Sequence, residues 1–319
     1  MKRHTRPPVP KSALFFLLCL PLGCARREPK PTVGFSQMEN NSPFRIAETN
    51  SMKAEGRERT DGFSFISTDA HGDTAKQVAD VEDLVARRVS AIFLAPREFE
   101  GLAPALETAR QAKIPVFLID RQAAGVAGVD YVTFLGSDFV QQGQCAGNWL
   151  VTKSSGSAGI VELTGTAGSS VALDRAAGFR LALRDHPGMK ILGSQNGDFT
   201  RSTGQKVMEN LLQAFGPRIT AVYAHNDEMA LGAIQALRSA GRRPGKDVLI
   251  VSIDGEKAAL QAIISGDLNA VVESNPRFGP LAFDTLERFR RGEKLPPRIM
   301  LQDRFFDAAN ARQFADAAF

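Results

Sequence analysis

Pro115-Val116-Phe117-Leu118-Ile119-Asp120-Arg121 is a short apolar run that ends in two opposite charges. It is too short for an ordinary helix and rich in branched and aromatic residues, so it reads as a strand. Its lack of polar–apolar alternation means that both faces are covered, as in a parallel sheet sandwiched by helices. Ala91-Ile92-Phe93-Leu94-Ala95 has the same form, and so does Val248-Leu249-Ile250-Val251-Ser252-Ile253, which runs into Asp254-Gly255. Working outward, comparable runs fall at 32–36, 63–67, 131–136, 158–164, 190–194, 219–224, 270–274 and 298–303. Helical periodicity fills the intervals. In residues 75–88, Val78, Val81, Leu84 and Val85 share one face. Residues 102–112, 139–153, 171–184, 203–215, 227–240, 256–265 and 278–291 are patterned alike. Strand then helix, repeated along the chain, predicts the α/β class with doubly wound parallel sheets and right-handed crossovers. All these strands would overfill one sheet, so two lobes of about five or six strands each are expected.

The N-terminus reads as a targeting segment. Lys2, Arg3, Arg6 and Lys11 precede an apolar run from Ala13 to Leu22, too short to span a bilayer and suited to a signal-peptide core. Leu20-Pro21-Leu22-Gly23-Cys24 resembles a bacterial lipobox, with Pro21 where the pattern usually has an aliphatic residue. Residues 1–24 are therefore predicted to be a signal peptide, with Cys24 the candidate for lipidation and a lipid anchor. The expected location is the periplasm or the outer face of the cytoplasmic membrane. The four basic residues of that segment equal the formal net charge of +4, so the remainder is neutral and nucleic acid is not an expected partner. Of the cysteines, Cys19 and Cys24 lie in the signal, leaving Cys145 alone in the folded part. Neither a disulfide framework nor a metal cluster is expected, and no spacing calls for a cofactor.

In open α/β sheets, ligands bind beyond the carboxyl ends of the strands. The residues found there are Asn41-Ser42-Pro43-Phe44-Arg45 with Glu48, then Asp120-Arg121, then the loop Gly165–Ser170 with Arg175 beyond it. Asp198-Phe199, His225-Asn226-Asp227, Asp254-Gly255, Glu273 and Asn275 follow. Planar Asp, Asn and Arg side chains can hold neighbouring hydroxyls in pairs, and phenylalanine rings can cover the apolar C–H face of a sugar ring. Each residue also has a plainer reading. Asp227 suits a helix N-cap, Glu48 and Arg175 suit solvated helix faces, and Asp254-Gly255 suits a turn. His225 suits packing, having no partner for nucleophilic catalysis. The glycine-rich loop lacks the lysine ending of a phosphate-binding loop.

Taken with their neighbours, these residues resemble the type I periplasmic sugar-binding proteins of ABC importers, the ribose-binding family, over about residues 31–304. The carrying stretches are Ile119-Asp120-Arg121, Gly165 to Arg175 with Gly178-Phe179, Tyr223 to Ala233, and Ser252-Ile253-Asp254-Gly255. The chain is most similar to the galactofuranose-binding members, through Val33 to Gln37, Phe44-Arg45 with Ala47 to Asn50, Gly197 to Ser202, and Pro244 to Asp247. Ribose binders carry a second aromatic residue where this chain has Arg45, and the galactofuranose type carries Trp in place of Phe44. The resemblance implies two lobes joined by three hinge crossovers, residues 31–137 with 276–302 and residues 138–275 with 303–319. It implies a ligand set of Ser42, Phe44, Arg45, Glu48, Asp120, Arg121, Arg175, Phe199, Asn226 and Asp254, with Asn275 at the hinge. It also implies a monosaccharide ligand, an ABC permease as partner, a monomer, and capture without chemistry.

Three other readings compete. A sugar-responsive transcription regulator would need a helix-turn-helix before the first strand, where this chain has the signal. A glycosidase could be imagined on Asp120 and Asp254, but Arg45, Arg121 and Arg175 are expected to keep both ionised, which suits binding. A sensor that reports the sugar to a membrane receptor would carry the same ligand residues.

Overall fold

The computed structural model describes Met1, residues 30–59 and residues 62–319. Apart from Met1, the signal-peptide segment and the Cys24 lipidation site lie outside the described residues. Two six-stranded sheets form the molecule. The first contains β1 (Thr32–Gln37), β2 (Ser64–Asp69), β3 (Ala91–Ala95), β4 (Val116–Ile119) and β5 (Thr133–Gly136). The second contains β6 (Ala158–Thr164), β7 (Met189–Asn196), β8 (Ala221–Ala224), β9 (Leu249–Asp254) and β10 (Ala270–Glu273). The chain then returns to the first sheet as β11 (Arg298–Met300) and ends in the second as β12 (Phe305–Asp307). The strand orders are β11-β5-β4-β3-β1-β2 and β12-β10-β9-β8-β6-β7.

The first sheet is parallel throughout, whereas β12 pairs antiparallel with β10. The run expected at 298–303 is strand only to Met300, because the chain there leaves one sheet for the other. An unmarked three-residue strand follows the crossing.

Helices cover both faces of each sheet. They are α1 (Pro43–Glu58), α2 (Thr74–Ala86), α3 (Ala103–Gln111), α4 (Phe139–Lys153), α5 (Ser170–Leu183), α6 (Arg201–Phe215), α7 (Asp227–Ser239), α8 (Lys257–Ser265), α9 (Gly279–Arg290) and α10 (Ala311–Phe314). Alternate strand residues feed opposite cores. Phe35, Phe93 and Phe117 pack with Met52 of α1 and Phe283 of α9, while Ile92, Leu94 and Leu118 pack with Leu84 of α2 and Leu106 of α3. The second sheet does the same, with Val222 and Ile250 against α6–α8 and Tyr223 and Val251 against α4 and α5. This alternation is why the strands carry apolar residues without a break.

Hydrophobic periodicity does not mark α1, because its buried face is largely polar. Arg45, Glu48 and Thr49 are buried beside Phe44, Met52 and Gly56. The helix is instead specified by its start. Ser42 caps it by accepting from the Arg45 N–H, and Pro43, whose ring pre-sets a helical φ, stands in the first turn.

The chain passes between the sheets at residues 137–138, 274–278 and 301–304. The two halves are closed on one another. The Phe99 N–H donates to the Gly168 carbonyl at 3.0 Å, and the Gln122 N–H to Ser170 Oγ at 3.0 Å.

Candidate functional site

Between the halves lies a cleft lined by Ser42, Phe44, Arg45, Asp120, Arg121, Arg175, Phe199, Asn226 and Asp254. Glu39, Asn41, Val171, Asp198 and Thr200 complete the lining. Two residues of the expected set stand elsewhere. Glu48 is sealed behind Arg45, and Asn275 lies in the second crossover with its Oδ1 accepting from the Arg277 N–H at 2.9 Å.

Consecutive strand residues point to opposite faces, so Asp120 and Arg121 could not both face the cleft if β4 simply continued. A tight three-residue turn redirects them. Asp120 adopts φ 61°, and the Arg121 N–H donates back to the Ile119 carbonyl at 2.6 Å. A non-glycine residue in this region costs about 1–3 kcal/mol, which the surrounding structure must hold. Asp254 ends β9 at φ 140°, and Asp198 and Phe199 follow at 52° and 56°. Asp198, Phe199 and Asp254 thus put strained backbone of the second half beside the cleft as well.

On the first half, Arg45 is the centre of a buried ion cluster. Its Nη1 donates to Glu48 Oε2 at 2.8 Å and its Nη2 stands 2.7 Å from Asp120 Oδ2. Gln37 of β1 donates to Glu48 and to Thr49, fixing the carboxylate from behind. Burial pushes the Glu48 carboxyl up to about 7 against the pull of Arg45. The solvated-face reading of Glu48 fails for this reason: the helix turns that face toward the cleft, and the residue is 0 % exposed. The Arg121 guanidinium donates to the Arg97 carbonyl at 2.9 Å and stacks over the Phe199 ring from the other half, 5.3 Å from its centroid. Burial, with Arg45 adding like-charge repulsion, lowers Arg121 to about 9. Glu48 Oε1 and Arg121 Nε are buried without a hydrogen-bond partner in the protein, and Asp120 Oδ2 has only the Arg45 guanidinium.

On the second half, Arg175 is buried rather than solvated, at 3 % exposure. Its Nε donates to Gln142 Oε1 at 2.9 Å, its Nη1 to the His225 carbonyl, and its Nη2 reaches Asp254 Oδ1 at 3.4 Å. Phe139 lies under the guanidinium plane. Donors on both Nη atoms are left to spare. His225 is fully buried. Its Nε2 is 3.1 Å from Glu162 Oε1, and its ring tilts onto Tyr223, so it packs under the site instead of facing it.

Asn226, not Asp227, is the N-cap of α7. Its Oδ1 accepts from the Met229 N–H, and its Nδ2 donates to the Phe199 carbonyl. Asp227 instead accepts from the Gly255 and Glu256 N–H groups and from Ser252 Oγ, clamping the turn that presents Asp254. Burial works against the expectation that arginines keep Asp254 ionised. Burial drives its carboxyl well above the usual range, with Asp227 and Asp120 adding to the effect, and Arg175 and Arg45 only oppose it.

Asn41 and Asp198 stood among the residues read beyond the strand ends, outside the ligand set, and Val171 lies within the stretch from Gly165 to Arg175; Gln142, inside a helix, gave no signal.

Among known families, the model described as periplasmic binding protein domain matches residues 33–294. The galactofuranose-binding protein YtfQ of Escherichia coli K12 is 43% identical over 273 residues, 85% of each chain. The ribose import binding protein RbsB of Bacillus subtilis 168 is 36% identical over 269 residues, 84% of each chain. A solved structure of the arabinose ABC transporter's periplasmic binding component from Shewanella sp. ANA-3, bound to α- and β-L-arabinofuranose, superposes with a TM-score of 0.86. It is 40% identical and covers 90% of this chain and 95% of its own.

Proposed function

The chain belongs to the periplasmic binding protein family, and from that premise we propose that it captures a monosaccharide in furanose form and hands it to an ABC permease. One observation carries the reading: polar forks from both halves, Asp120–Arg121 and Arg175–Asp254, converge with Phe199 on one cleft, where Arg121 Nε has no hydrogen-bond partner within the protein and Asp120 Oδ2 has only the Arg45 guanidinium. A buried polar atom costs about 1–3 kcal/mol while unpaired. A ring carrying neighbouring hydroxyls would serve both at once, while Phe44 and Phe199 take its C–H face.

Arg45 gives the preference for a furanose. Where ribose binders have a ring, this chain has a guanidinium bound to Asp120 and Glu48. A hydroxylated side arm of the sugar has polar partners there. The remaining assignments rest on the same support. Ser42, Phe44, Arg45, Asp120, Arg121, Arg175, Phe199, Asn226 and Asp254 are the ligand set, with Glu48 acting through Arg45. Residues 31–137 with 276–302 and 138–275 with 303–319 are the lobes, and Asn275 belongs to the hinge. The ligand is read as leaving unchanged, in keeping with relatives that are sugar-binding proteins.

The protein works outside the cytoplasmic membrane, in keeping with its periplasmic family and importer relatives, and no helix among the described residues is long and apolar enough to cross a membrane. Tethering through a lipid on Cys24 is checked by membrane fractionation. Cys24→Ser should shift the protein to the soluble fraction, and an unchanged distribution refutes the anchor.

A thermal-shift screen of pentoses, hexoses and methyl furanosides tests the ligand class. A sugar present at about 100 times its Kd stabilises the protein by about 2.7 kcal/mol. Methyl β-D-galactofuranoside, D-galactose or L-arabinose should raise the midpoint most. No shift with any sugar, against a shift with an amino acid or polyamine, would overturn the reading.

A further inference from the structure

The three segments that join the halves are tied together at one point. Ser137 Oγ, in the first, donates to Asp303 Oδ1, in the third, at 2.8 Å. Gln142 Nε2, on the first turn of α4, donates to Asp303 Oδ2 at 2.8 Å and to the carbonyl of Glu273, where β10 enters the second crossing, at 3.2 Å. Arg304, beside Asp303, returns to the second crossing through the Glu273 carboxylate. The other end of the Gln142 amide is its Oε1, which accepts from Arg175 Nε at 2.9 Å. Gln142 is 1 % exposed and all these partners are polar, so its amide is fully occupied by one role. Neither Gln142 nor Asp303 lines the cleft.

We infer that Gln142 and Asp303 are positioning residues that couple the cleft arginine Arg175 to the hinge, so that seating the sugar on Arg175 and setting the angle between the lobes are one event. The inference rests on the proposed ligand role of Arg175. A primary amide suits the task because it accepts on one side and donates on the other. It can therefore be held by a guanidinium and a carboxylate at once. Lobe closure needs some element with two arrangements that both the ligand and the hinge bias. The chain Arg175–Gln142–Asp303–Ser137 is a contiguous one.

The test is a double-substitution cycle of Gln142→Met, which keeps the length of the side chain but neither hydrogen-bonding end, and Asp303→Asn. Affinity for D-galactose and L-arabinose is read by calorimetry, and the inter-lobe distance by spin labels on exposed sites of α2 and α6. Each single variant should weaken binding by about tenfold or more. The double variant should be little worse than either single one, with labelled distances broadened in all three. Asp303→Asn touches no cleft residue, so wild-type affinity together with a wild-type distance distribution in that variant would overturn the inference. So would fully additive losses. Ser137→Ala provides a second variant if Asp303→Asn fails to fold, and should broaden the distances in the same direction. If the unaltered protein binds neither sugar, the ligand reading fails by itself. The ligand-free distance distributions of Gln142→Met and Asp303→Asn then decide the hinge role: broadening upholds it and identity with wild type refutes it.

Discussion

Arg121 shows how a residue proposed to bind differs from one that stabilises. Its charge is buried, its Nε has no hydrogen-bond partner, and Arg45 repels it, against the Arg97 carbonyl, the face of Phe199 and a 3.9 Å approach to Asp120. Removing it should therefore spare the ligand-free fold while abolishing tight capture. For Arg121→Ala we expect sugar affinity to fall about 10²–10³-fold, from the loss of charged hydrogen bonds at about 1.5–3 kcal/mol each. The ligand-free thermal midpoint should be unchanged or higher. Arg121→Lys should not restore binding, since an ammonium offers neither the fork nor the flat face. Calorimetry with D-galactose and L-arabinose checks both, and unchanged affinity would remove Arg121 from the site. Asp120, Arg121 and Asp254 were legible in the sequence because charged residues at strand ends have little else to do there, whereas Arg175, inside α5, followed from the resemblance. Gln142 was not, since a glutamine near a helix start looks the same whether it meets water or a buried guanidinium. The N-cap went to Asn226 and not to its neighbour for a similar reason: both side chains can cap, and only the position of the β9–α8 turn drew Asp227 away.

At the scale of elements, α4 and α5 cross so closely that glycine is needed. A Cβ on Gly178 would stand 1.9 Å from the Val140 carbonyl oxygen, and one on Gly143 would stand 2.2 Å from that of Arg175. Because the obstacle is backbone, no rotamer can relieve it. Gly178→Ala should separate the helices and shift both Arg175 and Gln142. The expected cost is about 1–3 kcal/mol or more, read as a thermal midpoint several degrees lower together with weaker sugar binding. A variant with wild-type midpoint would show that the crossing is not tight. The strands and most helices were legible because each buries an apolar face, whereas α1 buries ions and β12 is too short to establish a pattern.

For the whole molecule, the balance between open and closed states matters more than any one contact. The direct hydrogen bonds from Phe99 to Gly168 and from Gln122 to Ser170 contribute about 1 kcal/mol each at most. They are set against the unpaired polar atoms and like charges of an unliganded cleft. The ligand-free protein should thus populate open forms, and a sugar that touches both lobes should draw it closed. A shift from mostly open to mostly closed needs about 10⁴-fold preference for the closed form. Small-angle scattering should show a smaller radius of gyration with saturating D-galactose or L-arabinose than without. An equal radius in both conditions would mean that closure does not depend on the ligand.

Composition and periodicity by themselves determined the class of fold, the existence of two sheets, the neutrality of the chain beyond its first residues, and the strand ends that carry the charged forks. They could do so because burial on both faces and termination in a charge are local properties, written into a few consecutive residues. Only the tertiary structure decided that Glu48 and Arg175 are buried, that Asp254 is pushed toward its neutral form, that β12 turns antiparallel, and that Gln142 bridges Arg175 and Asp303. Each of these depends on groups far apart in the chain and near in space. The energy of a buried charge is set by those neighbours and by the water they exclude, and no window of sequence contains them.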